Sequence, residues 1–433
     1  MELDTLSKTN KQLLEEIERL KISIQELSIL NEIATAITST LSVDKIIDLI
    51  VTKCIKHLHV EQCAVMLLNK ENKIAPFQTM IRRADVSKFT LSFKLDSQLT
   101  GWMIKYQKPL LINDFERDER IQVKDQADFA IYNLLSVPLL YKGEMIGVLT
   151  VFNKKHKKEF TSDDQRLLSI IAAQSAQVIE NAKLFEDEQK YLILQEELNT
   201  AKEIQINLLP KEPPGIEGYD FSAINIPAKE VGGDYFDFIK ITESKLGFCL
   251  GDITGKGLPA ALLMANLQAT LRGQTLYTNS CCENIKRVNR LLYLSTDPTK
   301  FATLFFGIID TQNHLLTFCN AGHDNPFLIQ QDNTIIRLYT GGLLLGCLAD
   351  YTYQEEVIQF NSDNLLALYS DGVTEAMNEA DEEFGERRLQ KILLDNRKKS
   401  AENIITIILN AVRTHAGNRS QSDDITLMII RRT

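Results

Sequence analysis

The sequence predicts an α+β chain in four parts: an N-terminal coiled-coil helix, an α/β domain built on an antiparallel sheet, a linker helix, and a C-terminal β-sandwich flanked by helices. Three observations predict it. A leucine heptad runs through residues 3 to 31, a hairpin followed by a helix closes the region before residue 185, and apolar strand-like runs dominate everything after Gly215. At 433 residues, with 44% hydrophobic and 24% charged side chains, the chain has the composition of two or three ordinary globular domains.

Taken in order, Leu6, Leu13, Leu20 and Leu27 fall seven apart, and Leu3, Asn10, Ile17, Ile24 and Asn31 fill the companion position. Leucine at one seam position, with β-branched residues and Asn at the other, suits a parallel two-stranded coiled coil. Residues 1–30 are therefore expected to pair two copies of the chain. A single amphipathic helix folded onto its own domain is the plainer alternative. Residues 29–185 open with a helix, continue through a strand at CAVMLLN, and end with SVPLLYKGEMIGVLTVFN, two strands around Lys142-Gly143. The helix that follows is announced by Thr161 and Ser162 with acidic residues in its first turn.

The strand IGVLTVFN, with F-T-x-x-D and A-x-x-I-E-N-A after it, resembles a GAF domain, a small-molecule sensory fold. That resemblance implies a small-molecule or protein signal of unknown identity at residues 29–185. Asn153, Lys154, Phe160 and Asp164 fit a pattern found in some cyclic-nucleotide-binding members, but Gln165 stands where that pattern has Glu. Trp102 is either a pocket wall or core. Residues 186–212 continue as a polar helix unbroken by Gly or Pro until Pro210, with Leu184, Tyr191 and Leu198 on one seam and Leu194, Ala201 and Leu208 beside it. It reads as a signalling rod and a second dimer contact, with an inert spacer as the alternative.

Bulk chemistry excludes several functions. A net charge of −10 argues against a nucleic-acid partner held by phosphate contacts. No apolar run approaches about eighteen residues, so no membrane span is expected. The seven cysteines form no C-x-x-C pair and sit mostly in apolar strings, which suits buried thiols in a reducing cytoplasm.

In residues 213–433, aspartates stand at the ends of strongly apolar strands: Asp234 in VGGDYFDF, Asp252 in LGDITGKG, Asp371 in LYSDGVTEA, and Asp423-Asp424 before ITLMII. The GDITGKG run is one residue short of a P-loop and lacks its Ser/Thr. A buried carboxylate costs several kcal/mol unless it is neutralised or given a cation. Exposed turn aspartates would explain one or two of these. Four at core-strand ends, without clustered His or Cys, point to a hard divalent ion held by oxygen, Mg²⁺ or Mn²⁺.

GGDYFD, GDITGKGLPAALLM, NAGHDNP, GGLLLG, LYSDGVTEA and DDITL, in that order and after AKEIQINLLP, resemble the sporulation stage II E type of metal-dependent protein serine/threonine phosphatase, the bacterial branch of the PPM superfamily. The resemblance implies two metal ions. Asp252 would bridge them, the Ile253 carbonyl and Asp234 would serve one, and Asp371 and Asp423 would hold the other. Asp252 and Asp234 are the implied catalytic pair, and Asp424 stands behind the ligands. It also implies, as substrate, a phosphorylated STAS-domain anti-sigma-factor antagonist in a partner-switching pathway. The run after Asp252 lacks the His of animal-type members, and their phosphate-binding Arg has no counterpart near Asp234; Asn320 and His323 are candidate supporting or substrate contacts. Two other classes stay open: a degenerate phosphoprotein-binding scaffold, and a diguanylate cyclase suggested by GGDYF, whose signature requires Glu at Tyr235.

Overall fold

The computed structural model describes residues 42–68, 77–83, 97–115, 117–120, 131–297 and 299–433, with scattered positions between 11 and 28. The chain forms two compact units, Met1–Leu192 and Ile193–Thr433.

The first unit contains α1 (Val43–Leu58), β1 (Val60–Leu68), β2 (Phe77–Arg83), α2 (Ser97–Tyr106), β3 (Leu110–Ile112), β4 (Leu134–Tyr141), β5 (Glu144–Lys154) and the start of α3 (Ser162–Leu208). The strands form one antiparallel sheet in the order β2-β1-β5-β4-β3. Lys142 and Gly143 turn the β4–β5 hairpin with φ of 49° and 86°, the positive-φ pair that a two-residue turn matched to strand twist requires. On α1, Ile46, Ile47, Ile50, Val51, Cys54 and Leu58 make one apolar face. That face and the first turns of α3 cover the side of the sheet carrying Cys63, Val65, Leu149 and Val151. The opposite side carries Met66, Val148 and Phe152, with Met103 of α2 packed on them and Trp102 at the margin, 5.0 Å from the Tyr106 ring. Trp102 is thus largely core-edge material.

The nucleotide-like pattern is used internally. Lys154 pairs with Asp164 and lies over the Phe160 ring. Asn153 accepts the Tyr132 N–H and donates to Glu61. Asp164 accepts from Thr161 N–H and Oγ1, closing the cap of α3. These contacts explain the four residues as a brace between β5 and α3.

Helix α3 runs unbroken for 47 residues, so the linker segment continues the helix that begins at Ser162. The heptad positions Leu3, Leu6, Asn10, Leu27 and Asn31 lie outside the described residues. Leu13, Ile17, Leu20 and Ile24 are helical and exposed.

The second unit contains β6 (Tyr219–Ile226), β7 (Tyr235–Lys240), β8 (Lys245–Ile253), α4 (Leu258–Thr275), α5 (Cys281–Ser295), β9 (Ala302–Asp310), β10 (Leu315–Ala321), β11 (Phe327–Ile329), β12 (Ile335–Arg337), β13 (Gly341–Gly342), β14 (Glu356–Gln359), β15 (Leu365–Tyr369), α6 (Asp371–Thr374), α7 (Glu386–Asn396), α8 (Ala401–Ala416) and β16 (Ile425–Arg432). One sheet runs β13-β10-β9-β8-β7 with β14 beside β10; the other runs β12-β11-β15-β16-β6. Phe248, Phe305 and Phe318 of the first meet Leu328, Leu366, Met428 and Ile430 of the second in a shared core. Each such side chain contributes about 1.5–3 kcal/mol by burial. The outer face of the first sheet is covered by α4 and α5 through Met264, Leu267, Ile285 and Val288. The outer face of the second is covered by α7 and α8 through Leu389, Leu393, Ile404 and Ile408. Burial on both faces is why these strands read as continuous apolar runs rather than alternating ones.

The sequence predicts a single helix over about 386–412; the structure has two. Ser400 interrupts it by accepting the Asn403 N–H as the cap of α8. In this frame β8 ends at Asp252-Ile253, β7 begins just after Asp234, β15 ends just before Asp371, and β16 begins just after Asp423-Asp424.

Candidate metal centre

Asp234, Asp252, Asp371, Asp423 and Asp424 are brought into one electrostatic neighbourhood by four different strand ends. Asp252 is held above the usual carboxylate range, at about 7, by burial, then by Asp371 and Asp423, although a hydrogen bond with Asp234 opposes the rise. Burial, and then Asp252, pushes Asp234 well up; a hydrogen bond from Thr426 Oγ1 works the other way. Asp371 is raised by burial and by Asp423. Carboxylates that both shed water and repel one another favour the proton, or a cation in its place. Among the described residues, no three His, Cys, Asp or Glu groups converge closely enough to hold an ion as they stand. A dication would have to draw these carboxylates inward. The donor set is all oxygen, which fits Mg²⁺ or Mn²⁺ and not zinc.

The Ile253 carbonyl lies beside Asp252: a Cβ built on Gly233 would stand 2.8 Å from Ile253 O and 3.6 Å from Asp252 Oδ1. Asp424 has a different task. Its carboxylate accepts the N–H groups of Ala228 at 2.7 Å, Gly233 at 2.6 Å and Asp234 at 3.3 Å, folding the GGD turn around itself. It therefore positions Asp234.

Both NAGH residues, Asn320 and His323, are buried and bonded into the fold. Asn320 accepts the His323 N–H and donates to the His323 and Leu338 carbonyls, pinning its own loop. His323 Nδ1 pairs with Thr303 Oγ1 at 2.9 Å, and Thr303 Oγ1 in turn receives the Asp252 N–H at 3.3 Å. Burial holds the His323 ring down at about 4, so it is neutral near pH 7 and braces Asp252 through Thr303.

Two residues passed over in the sequence join the cluster. Lys256 Nζ pairs with Asp423 Oδ2 at 2.7 Å and donates to the Ser422 carbonyl at 2.6 Å, on a turn whose flanking glycines have positive φ. Asp324 is pushed up to about 6 by burial and then by Asp371. Lys256 was visible only as the lysine of a run that fails as a P-loop, because its partner lies far along the chain. Asp324 was masked by the His beside it.

The cyclase reading fails at Tyr235. That side chain is wholly buried and its hydroxyl donates to Asp237 at 2.7 Å; Asp237 also holds Arg272 at 2.7 Å. The YFD part of GGDYFD builds the core behind the site and presents nothing at its surface.

Residues 242–433 match the family described as Stage II sporulation protein E (SpoIIE), and residues 40–180 match the GAF domain family. The phosphoserine phosphatase RsbU of Bacillus subtilis (strain 168) is 32% identical over 241 residues, which cover 55% of this chain and 71% of RsbU. Protein IcfG of Synechocystis sp. (strain ATCC 27184 / PCC 6803 / Kazusa) is 30% identical over 263 residues, covering 54% of this chain and 41% of IcfG. The solved SiaA-PP2C domain of Pseudomonas aeruginosa aligns with a TM-score of 0.50 at 18% identity, over 56% of this chain and 98% of that domain, a likeness of fold.

Proposed function

The chain belongs to the Stage II sporulation protein E family and carries a GAF domain, and from that premise we propose that it is a signal-regulated, metal-dependent protein serine/threonine phosphatase. The observation that carries the reading is the mutual electrostatic influence of five aspartates set at four strand ends. Asp252 would be shared between two divalent ions, Asp234 and the Ile253 carbonyl would serve one, and Asp371 and Asp423 the other. Bound there, the ions would supply an activated water and charge neutralisation for in-line displacement at phosphorus. The chain's own residues do the positioning. Asp424 shapes the turn that carries Asp234, and Thr303 with His323 fixes the strand end that carries Asp252. Lys256 offers a cation at the rim, free to meet a phosphoryl oxygen once Asp423 turns to a metal.

The substrate is a phosphoserine or phosphothreonine on a protein, in this reading a phosphorylated STAS-domain antagonist, and the chain acts in the cytoplasm as a homodimer. Among the described residues, no helix is long and apolar enough to cross a membrane. The four-part division at 1–30, 29–185, 186–212 and 213–433 assigns pairing, sensing, transmission and catalysis. The signal bound by the GAF domain reaches the metal site through the last turns of α3. There Gln205 donates to the Gly232 carbonyl at 2.7 Å and accepts the Gly232 N–H at 3.1 Å, two residues from Asp234. Two arrangements of this contact differing by a few kcal/mol would make a switch.

The test is phosphate release from a phosphoserine protein with Mn²⁺, wild type against Asp252→Asn. Metal-dependent release that falls at least about a hundredfold in the variant is expected. Equal release from both would remove Asp252 from the metal site, and none from either across several phosphoproteins and metals would leave the scaffold reading standing.

A further inference from the structure

Beside the carboxylates lies a cavity of about 160 Å³ whose floor is apolar, made by Ile226, Leu409, Val412 and Ile425. Its walls include Gly372 and Ser422, the immediate neighbours of Asp371 and Asp423, so it adjoins the aspartate cluster. Gln421 donates to the carbonyls of Ile226 and Asp423, holding the wall loop against both the floor and a metal-ligand residue. A cavity of about 150 Å³ lined by apolar side chains is known to accept a benzene-sized group. This one is thus large enough for a Leu or Phe side chain.

The rim has the opposite sign from the cleft. Arg413, in the last turn of α8, lines the cavity and is exposed, and it carries no ion pair among the described residues. Arg419 lines it too, tied to Asp381. A phosphorylated segment entering the cleft brings negative charge to this edge, and the arginines complement it.

Resting on the phosphatase reading, we infer that this groove is a substrate-selectivity pocket. It takes one apolar, ring-sized side chain of the phosphoprotein, a few residues from the phosphoserine, with an acidic neighbour of that side chain meeting Arg413. It contributes no group to the chemistry. Its effect is on which phosphoserine is held in register, and so on kcat/KM for protein substrates only.

The experiment compares full-length wild type, Ala416→Phe and Arg413→Glu, each with Mn²⁺. The probes are p-nitrophenyl phosphate and phosphoserine peptides carrying Phe, Leu or Ala at each flanking position in turn, with and without an adjacent Glu. Ala416 lines the cavity at the end of α8, so Phe there fills it. The expected result has three parts. Wild type prefers Phe or Leu over Ala at one flanking position by about tenfold, the scale that an apolar pocket delivers. Ala416→Phe abolishes that preference, and Arg413→Glu abolishes the advantage of the adjacent Glu. Turnover of p-nitrophenyl phosphate stays at the wild-type level in both. No positional preference in wild type, or a preference that survives both variants, overturns the pocket while leaving the phosphatase intact. Wild-type protein that hydrolyses neither probe overturns the phosphatase reading and the pocket with it. Should Ala416→Phe fail to fold, the positional preference of wild type decides the apolar pocket, and Arg413→Glu, at an exposed position, decides the charged rim.

Discussion

At the scale of single residues, Lys256 separates two jobs that its geometry combines. It pairs with Asp423 at the edge of the aspartate cluster, and in the proposed reading it would meet the incoming phosphate. Replacing it with Gln removes competition for Asp423, so half-saturation by Mn²⁺ shifts to lower concentration. The same change removes a charge-assisted contact to phosphate, so KM for a phosphomonoester rises by roughly tenfold, a modest figure for a half-exposed cation. Titrating Mn²⁺ and substrate separately checks both signs. If the metal and substrate constants both worsen, Lys256 is a structural support. The carboxylates were legible in the sequence because an Asp at the mouth of an apolar strand is an anomaly that the linear text displays. The Lys256 partnership was not, since it is made by a loop 166 positions away. His323 was legible as unusual and not in its task, because only the register of β8 against β9 places Thr303 between it and Asp252.

Among elements, the turn between β6 and β7 bears the most constraint. Gly232 accepts and donates to Gln205, and Gly233 donates to Asp424. A Cβ on Gly232 would stand 2.3 Å from Asp424 Oδ2. Gly232→Ala must therefore displace the carboxylate that collects the Ala228, Gly233 and Asp234 N–H groups. Losing such buried charge-assisted bonds costs about 2–4 kcal/mol. A lower urea midpoint for the second unit, with weaker Mn²⁺ activation, is the expected result; an unchanged midpoint would show that the turn relaxes freely. Gln205→Leu keeps the helix and removes both amide contacts. The expected outcome is phosphatase activity that no longer responds to conditions that modulate the wild type, with Mn²⁺ still required. Activity that responds as before would rule out this contact as the route. Strand positions in this unit were readable because both sheet faces are buried, whereas strand order was not. Pairing of β6 with β16 joins Tyr219 to Arg432 across almost the whole unit, and no local pattern announces it.

At the scale of the whole molecule, exposed apolar residues on helices argue for a second copy. Leu13, Ile17, Leu20 and Ile24 are between 46% and 65% exposed, and Leu184, Tyr191 and Leu194 on α3 between 53% and 62%. Apolar side chains at these heptad spacings, left in water, are what a parallel partner helix would cover. A seam that met another chain would have to be written with a period that its own domain does not impose, which is how the heptad stands out in the first thirty residues. Two changes distinguish the seams. Leu13→Asp with Leu20→Asp places charges in the N-terminal one, and Tyr191→Asp with Leu194→Asp in the linker one. If each seam pairs two copies, light scattering at micromolar concentration reads a dimer for wild type and a shift towards monomer for each double variant, with monomer alone when the two sets are combined. The linker pair is also expected to blunt the response of activity to signal, since α3 carries Gln205 in its last turn. The N-terminal pair is expected to change assembly alone. A wild-type chain that is monomeric at every concentration tried would remove the dimer and require a folded partner of another kind for both stripes.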